Sequence, residues 1–334
     1  MKKLSIVCIV LLFITAFMLV INVIPPKKVI ENNPFIVGEG NLPMIAAHRG
    51  GALNNPENTL LAFREAVKSY GVEIMESDLY LTKDGYLVYN HDGYIDKTCN
   101  VNGDISLDEV KELCKTEENR HYIKDMTLEE LKKYNFGYYF SKDGERIYKD
   151  IEDVEAYGLQ IATAEQLFLE FYESNPELLF IVEIKDSGDR GREALRKLDE
   201  ILKNYPDYID NIVVGSFHKE IEKELEENYP HLMRGASVSG AAGFILTQFM
   251  GVNLFNQSDF TCLQIPLSYD LEIIELRLDF KTIINRAHKK NMAVQYWTIN
   301  DEDEMRHLIE LGVDCIMTDD PALLRSVLDE YEEK

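Results

Sequence analysis

Positive charge is what this 334-residue chain most lacks: 35 Lys and Arg stand against 59 Asp and Glu, a formal charge of −24. That balance argues against nucleic acid as a partner and against attraction of the whole domain to an anionic lipid surface. An anionic substrate then needs a local cation. Cysteine is scarce too, with five residues. Cys99, Cys114, Cys262 and Cys315 show neither CxxC spacing nor the density of a disulfide scaffold, which argues against a thiolate metal site. Free thiols are the expectation, with a Cys99 to Cys114 pair outside the cell as the alternative. No Pro-, Gly- or Ser-rich linker divides the roughly 300 residues after the N-terminal segment, so they read as a single domain.

Charge is wholly absent from Leu4 to Ile24, LSIVCIVLLFITAFMLVINVI. The run is close to the ~20 apolar residues a helix needs to cross a bilayer's hydrocarbon core. Residues 1–24 therefore read as a retained transmembrane anchor and residues 25–40 as a tether. A cleaved signal would have a shorter apolar region and small residues at its exit, where this chain has Pro25 and Pro26. Cys8 lacks the small residues that precede a lipidated bacterial cysteine. Lys2 and Lys3 flank one side and Lys27 and Lys28 the other, so flanking charge barely separates the two orientations. The adopted expectation is a single-pass membrane protein with its catalytic domain outside the cytoplasm.

Beyond the tether, apolar runs of strand length alternate with helical ones, the pattern of a parallel α/β sheet or barrel. MIAAH, VEIMESDLYLT, YLVYNH, LFIVEIK, NIVVGSF, CLQIP, MAVQYWT and CIMTD are the clearest strands. Helices are predicted over Thr59–Tyr70, Thr163–Tyr172, Arg190–Asn204, Lys219–Asn228, Phe280–Lys290 and Asp301–Leu311, with Asn58 capping the first and Gly312 ending the last. Thr82-Lys83-Asp84-Gly85 reads as a hairpin turn that folds YLVYNH back on the preceding strand. The span 101–157 exceeds a minimal connection and reads as an insertion over the barrel mouth that selects the leaving group. A second apolar run, Ala241 to Phe255, is too short to span a bilayer comfortably. It reads either as a buried helix or as a lip that dips into a membrane or receives an acyl chain.

Side-chain period decides the chemistry. Glu76 and Asp78 are two residues apart in a strand and face the same way, as do Glu183 and Lys185. Carboxylates on an inward strand face are costly unless paired or metal-bound, and three of them suit a hard divalent cation. The alternative pairs Glu183 with Lys185, or Glu76 with Arg49, as buried salt bridges. His48 and His91 each follow an apolar strand-like run, where barrel chemistry sits. An imidazole pair can take one proton and give another. Arg49 offers a planar fork for phosphate oxygens and Lys185 a point charge.

HRGGALNNPENTLLAF, GVEIMESDLYLTKDGYLVYNHD, FIVEIK, VVGSFH, VQYWTIND and GVDCIMTDDP, in that order from Met44 to Leu324, resemble the glycerophosphodiester phosphodiesterase family. The resemblance implies a TIM (β/α)8 barrel over residues 41–330 that hydrolyses glycerophosphodiesters with Ca2+ or Mg2+. It makes His48 and His91 the acid/base pair, Arg49 a phosphate contact, and Glu76, Asp78 and Glu183 the metal ligands. Glu57 becomes a polar neighbour of the metal or of Arg49, against a simple helix-start carboxylate. Trp297 would stack at the pocket mouth, against plain core packing. Ala162-Thr163-Ala164 and Asp320 depart from the common pattern, and Asp320 would alter the pocket rim. The anchor and second apolar run resemble a membrane-bound, lysophospholipase D-like branch, which implies lysophosphatidylcholine or lysophosphatidylethanolamine as substrate and lysophosphatidic acid as product. A sphingomyelinase or phospholipase D-like enzyme and a catalytically inactive membrane-tethered binding module are the other two readings.

Overall fold

The structure, a computed structural model, describes residues 2–24, 26–270 and 275–333, without the side chains of residues 2–5, 7, 22, 23, 253 and 270. Its strands are β1 (Met44–Ala47), β2 (Ile74–Leu81), β3 (Leu87–Tyr89), β4 (Leu179–Ile184), β5 (Ile212–Gly215), β6 (Met233–Arg234), β7 (Cys262–Ile265), β8 (Ser268–Asp270), β9 (Glu275–Arg277), β10 (Ala293–Tyr296) and β11 (Cys315–Thr318). The helices are α1 (Lys2–Val23), α2 (Leu60–Tyr70), α3 (Leu107–Leu113), α4 (Leu128–Leu131), α5 (Ala164–Phe171), α6 (Gly188–Leu202), α7 (Lys219–Asn228), α8 (Val238–Phe249), α9 (Lys281–Lys289), α10 (Glu302–Leu311) and α11 (Pro321–Glu332).

Eight parallel staves run in the order β6-β5-β4-β2-β1-β11-β10-β7, and a single parallel bridge from Gly235 to Cys262 brings β6 back to β7. This is the expected (β/α)8 barrel. β6 escaped the sequence reading because only two residues pair, Met233 and Arg234, too few to show a strand's alternation. The Thr82–Gly85 turn is a hairpin as expected: β3 pairs antiparallel with β2 and is not a stave.

One alternation rule sorts the side chains. Ile45, Ala47, Met75, Leu79, Phe180, Val182 and Val214 point outward into the layer shared with the helices. Ala46, Ile74, Leu179, Ile181, Val213, Ala293, Cys315 and Met317 point into the barrel. Because strand side chains alternate with period two, Glu76, Asp78, Glu183 and Lys185 follow the second set inward.

The helix expectations hold within two residues, with one exchange of roles. Thr59, not Asn58, caps α2, its hydroxyl accepting the Ala62 N–H. Gly312 ends α10 in the left-handed conformation as anticipated. Residues 101–157 fold as an annex containing α3 and α4; one apolar cluster joins it to Val88, Cys99 and Ile161, and a second gathers Val110, Cys114, Tyr138 and Tyr139. Cys99 and Cys114 are both buried there and unpaired.

Residues after Pro26 do not behave as a loose tether. Phe35 is fully buried at the barrel interior. Asn33 Nδ2 donates to the carbonyls of Thr261 and Asn291, and the Val29 N–H to that of Lys290. These acceptors precede β7 and β10, so the segment plugs the base of the barrel, beneath the strands' N-terminal ends. Pro25 lies outside the described residues. α1 runs unbroken from Lys2 to Val23. Among the described residues no helix is long and apolar enough to cross a membrane, and the expected transmembrane span is not established by them.

Candidate active site

The strand registers assemble the site at the C-terminal end of the barrel. Ala47 pairs with Met75 on one side and Thr318 on the other, which sets the next residues, His48, Glu76 and Asp319, side by side. His48 Nδ1 lies 2.6 Å from Asp319 Oδ1, and its Nε2 is 3.9 Å from Glu76 Oε2. Asp78 pairs with Glu183 on one rung, and Glu183 with Gly215 on its other side, where no side chain competes for space.

After β1 the backbone turns through Arg49 and Gly50, both in the left-handed region at φ 53° and 82°. For the non-glycine Arg49 this costs about 1–2 kcal/mol. The turn aims the Arg49 N–H at Glu76 Oε2, 2.9 Å away. The Arg49 guanidinium meets Glu57 at 3.2 Å through Nη1 and Asp78 at 3.6 Å through Nε. Of the two readings of Glu57, the arginine partner is the one observed. Asn58, released from capping, also sits at left-handed φ and its Nδ2 reaches Asp78 Oδ2 at 3.4 Å.

Lys185 Nζ lies 3.3 Å from Asp78 and 3.2 Å from Glu183. The salt-bridge alternative for Glu183 is therefore realised. With Lys185 and Arg49 drawn onto the carboxylates, no group of three or more His, Cys, Asp and Glu residues is arranged to hold a metal ion among the described residues. The expected triad of Glu76, Asp78 and Glu183 is brought together in space but turned to protein cations.

His91 arrives by the hairpin that the Thr82–Gly85 turn led one to expect. It follows β3, the antiparallel return of the hairpin, and not a stave; the Asn90 N–H donates to the Asp78 carbonyl at 3.1 Å and so fixes the segment over β2. His91 Nδ1 is 3.3 Å from Asp92, and its ring acts electrostatically on Glu183. Trp297 packs partly buried on the interior cluster, as its core reading expected, with its ring centroid 6.5 Å from that of Phe217 in a tilted contact.

Electrostatics follow from burial. Glu76 is pushed up to about 7, first by desolvation and then by the Asp78 charge. Burial likewise raises Glu183, with Lys185 opposing. Burial works against a charged His48, yet the Asp319 hydrogen bond and the Glu76 charge lift its pKa above the ordinary imidazole value. Lys185 is raised despite burial, because Asp78 and Glu183 face it.

The carboxylates outnumber the cations they meet: buried Glu76 and Asp78 and half-buried Glu183 and Glu57 face Arg49 and Lys185. As oxygen donors these residues suit a hard divalent cation, which would offset the excess of negative charge. Two further buried atoms have no hydrogen-bond partner, Arg49 Nε and Asn58 Oδ1, and both adjoin Asp78.

Asp319 escaped the sequence reading. Its signal was present: the first Asp of TDD ends β11 at the mouth and sits on an inward position. Asn300 holds it from the other side, Nδ2 to Oδ2 at 2.8 Å. Asp320, expected at the pocket rim, instead caps α11 through the Leu323 N–H and accepts from Asn54.

Comparison with known proteins settles the kinship. Residues 48–323 match the model of the glycerophosphoryl diester phosphodiesterase family. The chain belongs to this family. A glycerophosphodiester phosphodiesterase from Caldanaerobacter subterraneus subsp. tengcongensis is 27% identical over 84% of this chain and 96% of its own length. Human lysophospholipase D GDPD1 is 24% identical over 85% of this chain and 86% of its own. Among solved structures, an Oleispira antarctica phosphodiesterase in complex with the product sn-glycerol-3-phosphate superposes with TM-score 0.61 at 21% identity, over 86% of this chain and 97% of that one. As a member of the glycerophosphoryl diester phosphodiesterase family, the chain is a phosphodiester hydrolase.

Proposed function

We propose that this chain hydrolyses small glycerophosphodiesters to an alcohol and a phosphomonoester, using a divalent metal, Ca2+ or Mg2+, while α1 anchors it in a membrane with the catalytic domain outside the cytoplasm. The observation that carries the reaction is His48, held between Asp319 and Glu76 at the mouth of the barrel and flanked by Arg49 and Lys185.

Asp319 accepts from Nδ1 of His48 and leaves Nε2 facing the cavity, where it exchanges a proton with the substrate's oxygens. His91, half-buried at the other edge, serves the opposite proton transfer. Arg49 and Lys185 bind the phosphate and share the charge that grows on its oxygens. Glu76, Asp78 and Glu183 would hold the metal, which supplies Lewis-acid neutralisation of the phosphoryl group. Glu57 keeps the Arg49 fork oriented. The 101–157 annex bounds the His91 side of the mouth and restricts the leaving group.

A lysophospholipid is the second reading, favoured by the apolar rim at Phe217 and Trp297 and by the lysophospholipase D relative. The test is choline release by the purified full chain from glycerophosphocholine, lysophosphatidylcholine and sphingomyelin, with chelator and with Ca2+ or Mg2+ restored. Turnover of the first, abolished by chelator and restored by metal, is expected. Release from sphingomyelin alone, or chelator-resistant turnover, contradicts the proposal.

A further inference from the structure

α8 is unlike the other barrel helices. Its inward face buries Ala241, Phe244, Ile245 and Gln248, as a core helix does, but its outward face carries no charge at all. Leu246, Phe249 and Met250 are exposed at its C-terminal end, and Phe255 continues the patch in the following 3-10 turn, each 56–59% exposed. In a chain of charge −24 a bare apolar stripe of this kind marks an interaction surface.

Its neighbours say what covers it. α1 meets the turn Asn253–Phe255 directly, and Ile21 near the end of α1 is buried. The segment after α1 then threads the barrel base. Beside the patch lies α9, which carries Lys281, Arg286, His288 and Lys289 and no acid, joined by Lys27 and Lys28 where residue 29 bonds Lys290. An apolar face edged by exposed Lys27, Lys28 and Lys289 matches the sequence of environments from acyl chains to lipid phosphates.

We propose that the barrel rests on the bilayer through the C-terminal end of α8 and the turn at Phe255, beside the anchor, so that the catalytic mouth opens to water and not onto the membrane. The proposal rests on α1 being a membrane anchor. The site residues and the base plug occupy opposite ends of the barrel, which keeps His48 and Trp297 remote from the point where α1 leaves. The substrate then enters from the aqueous phase, as a small glycerophosphodiester does.

Trp297 is the only tryptophan of the chain and stands at the mouth, so its fluorescence is a native depth gauge. In full-length protein reconstituted in phosphatidylcholine vesicles, acrylamide should quench Trp297 while doxyl-labelled phosphatidylcholine leaves its emission unchanged. The double variant Trp297→Phe, Phe249→Trp should show the reverse: loss of emission to the doxyl lipid and protection from acrylamide. Lipid quenching of native Trp297 overturns the proposal. So does a Phe249→Trp probe untouched by doxyl lipid, the result expected if a second copy of the chain covers α8. A chain that fails to float with the vesicles overturns the anchor itself, an outcome distinct from loss of hydrolysis.

Discussion

Glu76→Gln tests the electrostatic description of the site without reference to turnover. In the metal-free chain Glu76 sits at about 7, against an ordinary value of 4.5, because it is buried beside Asp78. Between those two pH values the folded state keeps a proton that the unfolded state has released, so stability falls as pH rises through the window and the loss is complete above about 7. A shift of this size corresponds to on the order of 3 kcal/mol. Glutamine occupies the same volume, keeps an oxygen for the Arg49 N–H and never ionises. At pH 8 in chelator the variant should therefore be more stable than the parent by roughly 2–3 kcal/mol, and at pH 4 by nothing. Urea denaturation of both proteins at the two pH values measures the difference. Saturating metal should erase the advantage, since it binds the ionised parent more tightly than the variant and so stabilises it more. A variant destabilised equally at both pH values would refute the burial argument.

Other outcomes follow from the same geometry. His48→Ala and His91→Ala should each lower kcat roughly 100-fold or more with folding intact, and near-normal turnover in either removes it from the proton-transfer pair. Asp319→Asn removes the bond that holds the His48 pKa up, so the limb of the pH–kcat/KM profile governed by His48 should move to lower pH; an unmoved limb means that Asp319 only packs. Phe35→Ala at the base should cost about 3–5 kcal/mol in urea melts, while leaving the pH profile untouched.

Much of this was legible in the chain because a strand repeats every two residues. Glu76 with Asp78, and Glu183 with Lys185, declared a common face before any contact was known, and the Thr82–Gly85 turn correctly sent β3 back along β2. The losses have physical causes. β6 is too short to show a period. Asp319 and Asp320 are adjacent acids, and only the barrel register tells the one that faces inward from the one that caps a helix. Asn58 has the composition of a cap but is displaced by Thr59, because its left-handed backbone points the amide at Asp78. Phe35 lies in a stretch with no periodic pattern, and its burial depends on strand ends more than 200 residues away. Glu76, Asp78 and Glu183 converge on one face as their spacing indicated, but Lys185 pairs with Asp78 and Glu183 and Arg49 with Asp78, a partnership that spacing alone left open.

Calorimetric titration of the chelated chain with Ca2+ or Mg2+ tests most directly whether these carboxylates take a cation. One site per chain is expected, lost or severely weakened in Asp78→Asn and in Glu183→Gln and weakened in Glu76→Gln. Binding that survives unchanged in all three variants would contradict the convergence of these carboxylates on a single cation.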